Sequence, residues 1–425
     1  MAQRNRNRRM SRRHFAEHLM GAAAMAVPAI AFTNSLTANA ATLKKNERSA
    51  ILLWMSGGPA TIDIWDLKPN SVNGGPFQPI NTSGEGQISE HMPETAKLMK
   101  HLSIVRSMST READHNRGRY YMHTGYVPNP TIEHPSYGSV VAHELGPLRE
   151  SLDIPPFVSI GGGSAGPGFL GMTYAPFVVN SNGRIQDLDM GIEPQRAANR
   201  LELLDSLEER FIKQDRGIAA SEHAKVLKKT QALMTSKQMD AFKVEQETSQ
   251  MRERYGNSNF GRGCLMARRL VEAGVPFVEV DFGGWDTHSN NFDTLQNNRL
   301  PQLDQGMSAL VADLAERGML ENTAIVWMGE FGRTPNINGN TGRDHWARSW
   351  SVVAGGAGFQ GGKVIGKTNE DGTAVETDPY TSEDLMATTL AALGISLDSR
   401  FTSRSGRPMK IANGGRVIKG LLQQA

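Results

Sequence analysis

The chain of 425 residues contains one cysteine, Cys264, and only 7% aromatic residues. A lone thiol cannot form an intramolecular disulfide, so a scaffold held together by disulfides is excluded. Cys264 lies among apolar residues at helical spacing, which favours a packing role for its side chain over a catalytic one. The sequence has no internal repeat and no low-complexity tract, which argues against a solenoid or a fibrous protein.

An excess of positive charge occurs only at the amino-terminal end, where six arginines lie within residues 4–13. A mildly apolar stretch over residues 21–32 follows, and then Ala38-Asn39-Ala40, a small-x-small cleavage signal. This order of features predicts a twin-arginine signal peptide over residues 1–40. The apolar stretch is shorter than the ~20 residues that span a bilayer, so we expect no stable membrane span.

We therefore expect the twin-arginine machinery to export the protein, which would then be periplasmic or secreted. Cleavage after Ala40 removes six arginines and one glutamate, and this lowers the formal net charge from +2 to −3. No basic face remains in the mature chain, so nucleic acid is not an expected partner.

Short, continuous apolar runs alternate with helical patterns along the rest of the chain. Continuous runs are typical of strands that are buried on both faces of a parallel sheet. The alternation predicts one α/β domain over residues 41–425 with a doubly wound, mostly parallel sheet. The predicted strands cover residues 50–56, 103–108, 157–160, 276–281, 324–329 and 349–355.

Helical patterns occupy the intervals between these runs, over residues 93–101, 117–123, 138–145, 255–273, 291–317 and 382–393. The last of them begins with Thr381-x-x-Asp384, a capping box, and stops before Gly394.

Residues 194–256 are highly charged and carry apolar residues at helical spacing. This segment is predicted to be a helical insertion that packs on the sheet.

Carboxylates and imidazoles follow the predicted strands, at the edge where ligands of α/β sheets bind. Mixed nitrogen and oxygen donors suit a divalent metal such as Zn, Mn or Fe, and Ca is a further candidate. The expected metal ligands are Asp63, Asp286, His288, Glu330, Asp344 and His345. In the alternative interpretation, these residues cap helices and pair with the nearby Arg333, Arg343 and Arg348.

Residues 361–368 match the phosphate-loop formula G-x-x-x-x-G-K-[ST] and end in Gly366-Lys367-Thr368. Such a loop binds phosphate only where a helix begins after the lysine. Here Asn369-Glu370-Asp371-Gly372 follows, which is typical of a turn. We therefore expect a β-turn or hairpin at this position and no nucleotide site.

At the same positions, the chain resembles the exported family called domain of unknown function 1501. That family is similar in turn to the alkaline phosphatase and sulfatase superfamily, so the resemblance implies an alkaline phosphatase/sulfatase-like fold. The resemblance covers about residues 48–420. Its motifs are residues 51–59 with Asp63, Asp66-Leu67-Lys68-Pro69, Asp114-His115 with Thr124-Gly125, Gly284-Trp285-Asp286-Thr287-His288, residues 329–335 and residues 342–346.

The resemblance also implies catalytic positions. His115 falls where the superfamily places its Ser, Thr or Cys nucleophile, and Asp114 falls where phosphatases also carry Asp. Arg119 falls where sulfatases place the arginine that supports the nucleophile. Glu330-Phe331-Gly332 is similar to a sulfatase metal motif, with Phe331 in place of the second ligand. Gly57-Gly58 stands where sulfatases have paired aspartates, so the family's reaction does not transfer directly.

Two functions remain open. The first is a metal-dependent hydrolase of phosphate or sulfate esters, in which Arg119 balances the anionic charge. In this function His115 is base, acid or metal ligand, with a phosphoryl-accepting nucleophile as the less favoured role. The second is a non-catalytic exported protein that binds a polysaccharide or another envelope component. The missing hydroxyl nucleophile and the apolar Phe331 favour this second function. A binding protein needs no metal beyond a structural one and turns over no ester.

Overall fold

All six predicted strands lie in one eight-stranded sheet. The computed structural model describes residues 48–183, 185, 193–213, 232–234, 236–403 and 406–423, so the predicted signal peptide lies outside the described residues. The strands of the large sheet are β1 Ser49–Trp54, β2 Leu102–Met108, β3 Phe157–Ile160, β4 Phe177–Val179, β5 Phe277–Asp281, β6 Thr323–Met328, β7 Trp350–Gly355 and β8 Val364–Ile365.

The strand order in this sheet is β8-β2-β7-β6-β1-β5-β3-β4. Among these strands β7 alone runs antiparallel to its neighbours, and the remaining pairs are parallel. Every residue of β1 is buried. Ile51 and Leu53 pack into the core on one face of the sheet, while Leu52 and Trp54 pack into the core on the other. The prediction of a doubly wound, mostly parallel α/β sheet is therefore confirmed.

The helices cover both faces of this sheet, and most of them agree with the predicted patterns. They are α1 Pro93–Ala96, α2 His115–Thr124, α3 Tyr137–Leu145, α4 Pro194–Lys213, α5 Ser249–Tyr255, α6 Asn259–Glu272, α7 Asn291–Thr294, α8 Leu300–Glu316 and α9 Ser382–Ala392. The capping box of α9 is present: the Thr381 and Asp384 side chains each accept from the other residue's backbone N–H.

Two long helical predictions prove to be interrupted. The helix predicted over 255–273 is divided, because Ser258 caps a new helix by accepting a hydrogen bond from the Gly261 N–H. The helix predicted over 291–317 contains one π-helical turn, Leu295–Arg299, before α8 begins with Leu300-Pro301. Pro301 has no N–H to donate, which suits the first turn of a helix.

The two remaining sequence predictions concern segments outside the core of the fold. Helix α4 lies in the predicted insertion, of which residues 214–231 and 235 lie outside the described part of the chain. The phosphate-loop-like stretch forms strand β8, and Thr368 then bridges antiparallel to Val375. No helix follows Lys367 there, in agreement with the predicted hairpin. In the described residues, no helix combines the length and the apolar character needed to cross a membrane.

The topology brings distant parts of the sequence to one edge of the sheet. The parallel strands β1, β2, β5 and β6 all end at this edge, because the carboxyl ends of parallel strands point the same way. Strand β7 runs in the opposite direction, so the residues that precede it also lie there. The segments after residues 54, 108, 281 and 328 therefore meet the segment before residue 350.

Candidate functional site

Three histidines surround the carboxylate of Asp286 at this edge. Their Nε2 atoms lie 3.3 Å (His115), 3.1 Å (His288) and 3.4 Å (His345) from Asp286 Oδ1. The Nε2 atoms of His288 and His345 are 3.0 Å apart. Within the described residues, His115, Asp286 and His345 also form the one group whose donor atoms all lie within 4.8 Å of one another.

The second ring nitrogen of each histidine is bound on the side away from Asp286. Two of the partner atoms are oxygens of ionised carboxylates and the third is a backbone carbonyl oxygen. All three can only accept, so an imidazole that is neutral carries its proton on Nδ1. The Nε2 lone pairs are then left facing Asp286. The three pairs are His115 Nδ1 with Glu330 Oε1 at 2.7 Å, His288 Nδ1 with Asp344 Oδ1 at 2.7 Å, and His345 Nδ1 with the Ala113 carbonyl oxygen at 2.8 Å.

Glu330 is buried and held in place by the backbone of the glycine pair that follows β1. Its Oε1 accepts a hydrogen bond from the Gly57 N–H at 2.9 Å as well as the bond from His115. Gly57 has a φ of +114°, and a Cβ at this position would lie 2.6 Å from the Asp286 nitrogen. Glycine is therefore required here. The resemblance placed Gly57-Gly58 where sulfatases have paired aspartates. In this chain the Gly57 N–H binds Glu330, and Glu330 in turn binds His115.

Arg333, on the short strand Gly332–Arg333, completes the surroundings of Asp286. Its buried guanidinium donates to the carbonyl oxygens of Gly57 and Gly58 and to Asp286 Oδ1. Partial burial alone would raise the pKa of Asp286, but the hydrogen bond and charge of Arg333, helped by His115 and His288, lower that pKa to about 2. Asp286 is therefore ionised at every ordinary pH.

Asp63 was predicted as a metal ligand, and the structure does not support this role. The turn Thr61–Asp63 directs its carboxylate into the protein, where both oxygens are bound. Arg343 donates to each oxygen at 2.7 Å, and Asn291 Nδ2 donates to Oδ2 at 2.9 Å. For Asp63, the alternative interpretation of an arginine partner is the one that the structure shows.

The two residues proposed to act beside His115 also lie outside the histidine cluster. Asp114 is the N-cap of α2, and its side chain accepts a hydrogen bond from the Arg117 N–H at 3.0 Å. Capping explains an aspartate at this position without a catalytic role. Arg119 donates to the Gly163 carbonyl oxygen in the loop after β3. The Arg119 guanidinium therefore lies near the end of β3 and outside the histidine cluster.

A second polar group, absent from the predicted site, lies at the end of β5. His123 Nε2 and Glu279 Oε1 are 3.1 Å apart, and both side chains are buried. Asp281 follows on the same face, and burial is the main reason that its pKa is raised to about 6. The oxygens Glu279 Oε2 and Asp281 Oδ1 have no hydrogen-bond partner. Two acids in an otherwise apolar strand are the sequence signal that could have identified this group.

Phe331 separates the histidine cluster from the core. Its ring centroid lies 5.1 Å from that of His115 and 4.8 Å from that of His345, and the side chain is fully buried. The resemblance placed Phe331 where the superfamily has a second metal ligand. In this chain the same position is an apolar wall behind two imidazoles.

Several solved structures are similar to this chain at low sequence identity. The protein Ps i-CgsB in complex with k-i-k-neocarrahexaose shares 12% identity with a TM-score of 0.40, over 82% of this chain and 72% of its own. The PsFucS1 sulfatase from Pseudoalteromonas sp. shares 12% identity with a TM-score of 0.37, over 82% and 68%. A protein in the alkaline phosphatase superfamily from Vibrio parahaemolyticus shares 13% identity with a TM-score of 0.36, over 88% and 70%.

No curated protein matches the sequence. Residues 47–422 match a family described as "Protein of unknown function (DUF1501)". This match covers far more than half of the chain and agrees with the motifs found in the sequence. The chain is a member of the DUF1501 family.

Proposed function

We propose that the protein is a metal-dependent hydrolase of phosphate or sulfate esters, with one divalent metal bound among the three histidines. His115, Asp286 and His345 would be ligands, and His288 would be the fourth. The observation that carries the proposal is the arrangement of three imidazole Nε2 atoms around one carboxylate oxygen. Glu330 and Asp344, predicted as ligands, are assigned instead as partners that orient ligands.

The distances from Asp286 are those of ligands that share one ion, and His115, Asp286 and His345 form a group whose donor atoms all lie within 4.8 Å of one another, while His288 lies at the edge of that group. Ligand atoms bound to zinc at about 2.0–2.1 Å lie roughly 3.3 Å from one another in tetrahedral geometry. The separations measured from Asp286 Oδ1 are 3.1 to 3.4 Å, and His288 and His345 are 3.0 Å apart. Neutral imidazoles whose lone pairs face a carboxylate are stabilised by a cation between them. Without an ion, the hydrogen bond with Glu330 raises the pKa of His115 and favours its protonated form instead. The orientation imposed by the Nδ1 partners is thus the one that a metal requires.

The charge of the cluster also fits a divalent ion. Asp286, Glu330 and Asp344 contribute three negative charges, and Arg333 contributes one positive charge. The formal sum of −2, with neutral imidazoles, is neutralised by one ion of charge +2. Nitrogen-rich donors favour Zn, Mn or Fe, whereas Ca prefers six to eight oxygen ligands. Ca therefore fits this donor set least well.

The roles of the chain's own groups follow from these contacts. When bound, such a metal polarises an ester oxygen and acidifies a water molecule. His115 has both ring nitrogens committed, one to Glu330 and one to the centre, so it is a ligand and not a nucleophile. Hydrolysis would then proceed by direct attack of water, without a covalent enzyme intermediate. Binding of the anionic group by Arg119 stays a prediction.

Elemental analysis of the purified chain tests the metal site. We expect close to one Zn, Mn or Fe per chain in the wild type, and loss of that metal in a His115→Ala/His345→Ala double variant. The matched control is His91→Ala/His143→Ala, which removes two histidines outside the cluster and should keep the metal. A double variant that retains a full equivalent of metal, or a wild type that takes up none, would contradict the proposal.

One feature of the proposed site favours the alternative function, a non-catalytic exported binding protein. Four protein ligands complete a tetrahedral shell, and closed shells are typical of structural metal sites. The two functions differ in turnover: the metal-loaded hydrolase cleaves a nitrophenyl phosphate or sulfate ester, and the double variant does not. A loaded protein that cleaves neither ester, while it binds a polysaccharide or an envelope component, would support the alternative.

We also propose that the twin-arginine machinery exports the protein to the periplasm or beyond. The support is the arginine-rich start with Arg12-Arg13, the apolar stretch and the small-residue cleavage signal. Replacing Arg12 and Arg13 together by Lys keeps the charge and should retain the precursor in the cytoplasm. Replacing Arg4 and Arg6 by Lys is the control and should leave export unchanged. Equal export of both variants would contradict this route.

A further inference from the structure

We propose that His288 is an exchangeable ligand, which leaves the metal when a tetrahedral oxyanion such as phosphate or sulfate binds in its place. This inference rests on the metal site proposed above and extends it. With His288 as a fourth protein ligand beside His115, Asp286 and His345, the metal would offer no position for a substrate oxygen. One of the four ligands must therefore leave the metal before a substrate oxygen can bind. The contacts of His115, His345 and His288 show which histidine is held least firmly.

His115 is held on a rigid element and by a buried partner. It occupies the first position of α2, directly after the Asp114 cap. Its partner Glu330 has only 4% of its side chain exposed and is fixed in turn by the Gly57 N–H. Movement of His115 away from the centre would leave the buried Glu330 carboxylate with only the Gly57 N–H as a partner, which is costly.

His345 is also fixed on both sides. It forms part of the short strand His345–Trp346, which pairs antiparallel with Gly332–Arg333. Its Nδ1 is bound to the Ala113 carbonyl oxygen, and only 26% of its side chain is exposed. The ring also packs against the buried ring of Phe331. Departure of this imidazole would break the backbone hydrogen bond and open the apolar contact.

His288 has neither restraint. It lies in a segment without regular secondary structure, and 46% of its side chain is exposed. Its partner Asp344 is 55% exposed, so water can replace either group of the pair at little cost. The main chain of His288 is fastened separately, because Asn338 Nδ2 donates to its carbonyl oxygen at 3.0 Å. Rotation of the His288 side chain therefore frees a position without moving the loop that carries Asp286.

The consequence is a site that is closed at rest and opens towards solvent on the His288 side. An oxyanion that displaces His288 meets the metal from the exposed face of the cluster. The three remaining ligands, His115, Asp286 and His345, are the ones whose donor atoms lie within 4.8 Å of one another. Three protein ligands with one free position is the arrangement found in catalytic zinc sites.

Cobalt(II) reports this exchange without any need for turnover, because its visible absorption depends on the ligands around it. The experiment loads the chain with Co²⁺ and titrates it with inorganic phosphate, and separately with sulfate. We expect His288→Ala to bind one Co²⁺ per chain with a different spectrum, and to bind phosphate at least about tenfold more tightly than the wild type. The tighter binding follows because the variant has no ligand to displace. His115→Ala should lose the Co²⁺, and Ser289→Ala is the control on the same segment.

The outcomes separate the two proposals. A wild type that binds no Co²⁺ overturns the metal site itself and the exchange with it. If the wild type binds Co²⁺ but His288→Ala loses it as completely as His115→Ala does, His288 is a permanent ligand and only the exchange is overturned. The exchange is also overturned if neither anion changes the spectrum of the wild type or of His288→Ala. Near-ultraviolet circular dichroism confirms that each variant is folded.

Discussion

Arg343 uses its whole guanidinium to bind Asp63 and the loops around it, and both side chains are buried. Two of its N–H groups donate to the Asp63 carboxylate at 2.7 Å. The others donate to the carbonyl oxygens of Asn73, Thr334 and Pro335. One cation thus joins the loop after β1 to the loop that carries Asp344 and His345. Asp63, which the sequence analysis expected to bind a metal, therefore holds together the loops that carry the site.

Replacement of Asp63 by Asn should destabilise the protein strongly. The change leaves the Arg343 guanidinium buried without its counter-charge, and loss of one partner of a buried pair typically costs about 3–5 kcal/mol. Urea unfolding with a chelator present measures the effect on the free energy of unfolding. Glu376→Gln is the control, because Glu376 pairs with Lys367 on the surface and such pairs contribute little to stability. Equal stability of the two variants would show that the buried pair has no structural role.

Glu330→Gln and Asp344→Asn should weaken metal binding without abolishing it. Partners that orient ligating histidines typically contribute 10–100-fold to metal affinity. We expect the larger loss for Glu330→Gln, because Glu330 is buried while Asp344 is exposed. Competition with a chromophoric chelator measures each affinity. Complete loss of metal at saturating concentration would mean that the residue is itself a ligand, as the sequence suggested.

Gly342→Ala should disturb the site while the body of the fold remains intact. A Cβ at residue 342 would lie 2.0 Å from the His288 carbonyl oxygen, so the two loops would have to separate. We expect metal affinity at least about tenfold lower than that of the wild type, and little change in circular dichroism. In the same loop, Gly339→Ala is the matched control, since a Cβ there has no neighbour within 4 Å. Equal metal affinity of the two variants would argue against close contact between the loops.

Asp281→Asn should stabilise the metal-free protein at neutral pH. The unfolded chain ionises Asp281 near its ordinary pKa of 3.8, whereas in the folded protein burial raises that pKa to about 6. The folded state therefore holds the proton between these values, and its stability falls as the pH rises from about 4 to 6. The penalty is complete above that window and amounts to about 1–3 kcal/mol.

The matching measurement is urea unfolding of the wild type and of Asp281→Asn at pH 4 and pH 7.5, with a chelator present. The advantage of the variant should be full at pH 7.5 and much smaller at pH 4, where the folded carboxyl is still protonated and the unfolded carboxyl is only about half ionised. A variant that is less stable than the wild type at pH 7.5 would mean that the Asp281 carboxylate has a favourable partner, and would contradict the assigned cause of its raised pKa.

The sequence was sufficient for the sheet because the signal for its central strands is local. A run such as residues 50–56 is apolar on both faces, which only a strand covered on both sides tolerates. The edge strand Phe177–Val179 was missed, because three residues carry too little pattern and one of them, Val178, is exposed. The interruption between α5 and α6 was also missed. Its cause is the single capping side chain of Ser258.

The site was only partly predictable, because a residue's type does not show what it contacts. Asp63 and Asp286 both follow buried strands, yet one pairs with Arg343 and the other faces three histidines. Arg343 lies 280 positions from Asp63, and no short-range pattern connects them. The sequence likewise gave no means to separate a ligand from its orienting partner. Only the contacts show that Glu330 binds His115 Nδ1, on the side of the ring away from Asp286.

The proposed metal site draws on residues that are far apart in the chain: Asp286 and His345 are separated by 59 positions, and His115 and Glu330 by 215. An unfolded chain cannot bring such donors together, so nearly all of the free energy of metal binding would become free energy of folding. A bound ion would then be a removable cross-link among three distant segments of the chain. At a free metal concentration 100 times the Kd, it would add about 2.7 kcal/mol of stability. The supply of metal would thus set how long the folded protein survives as well as whether it is active.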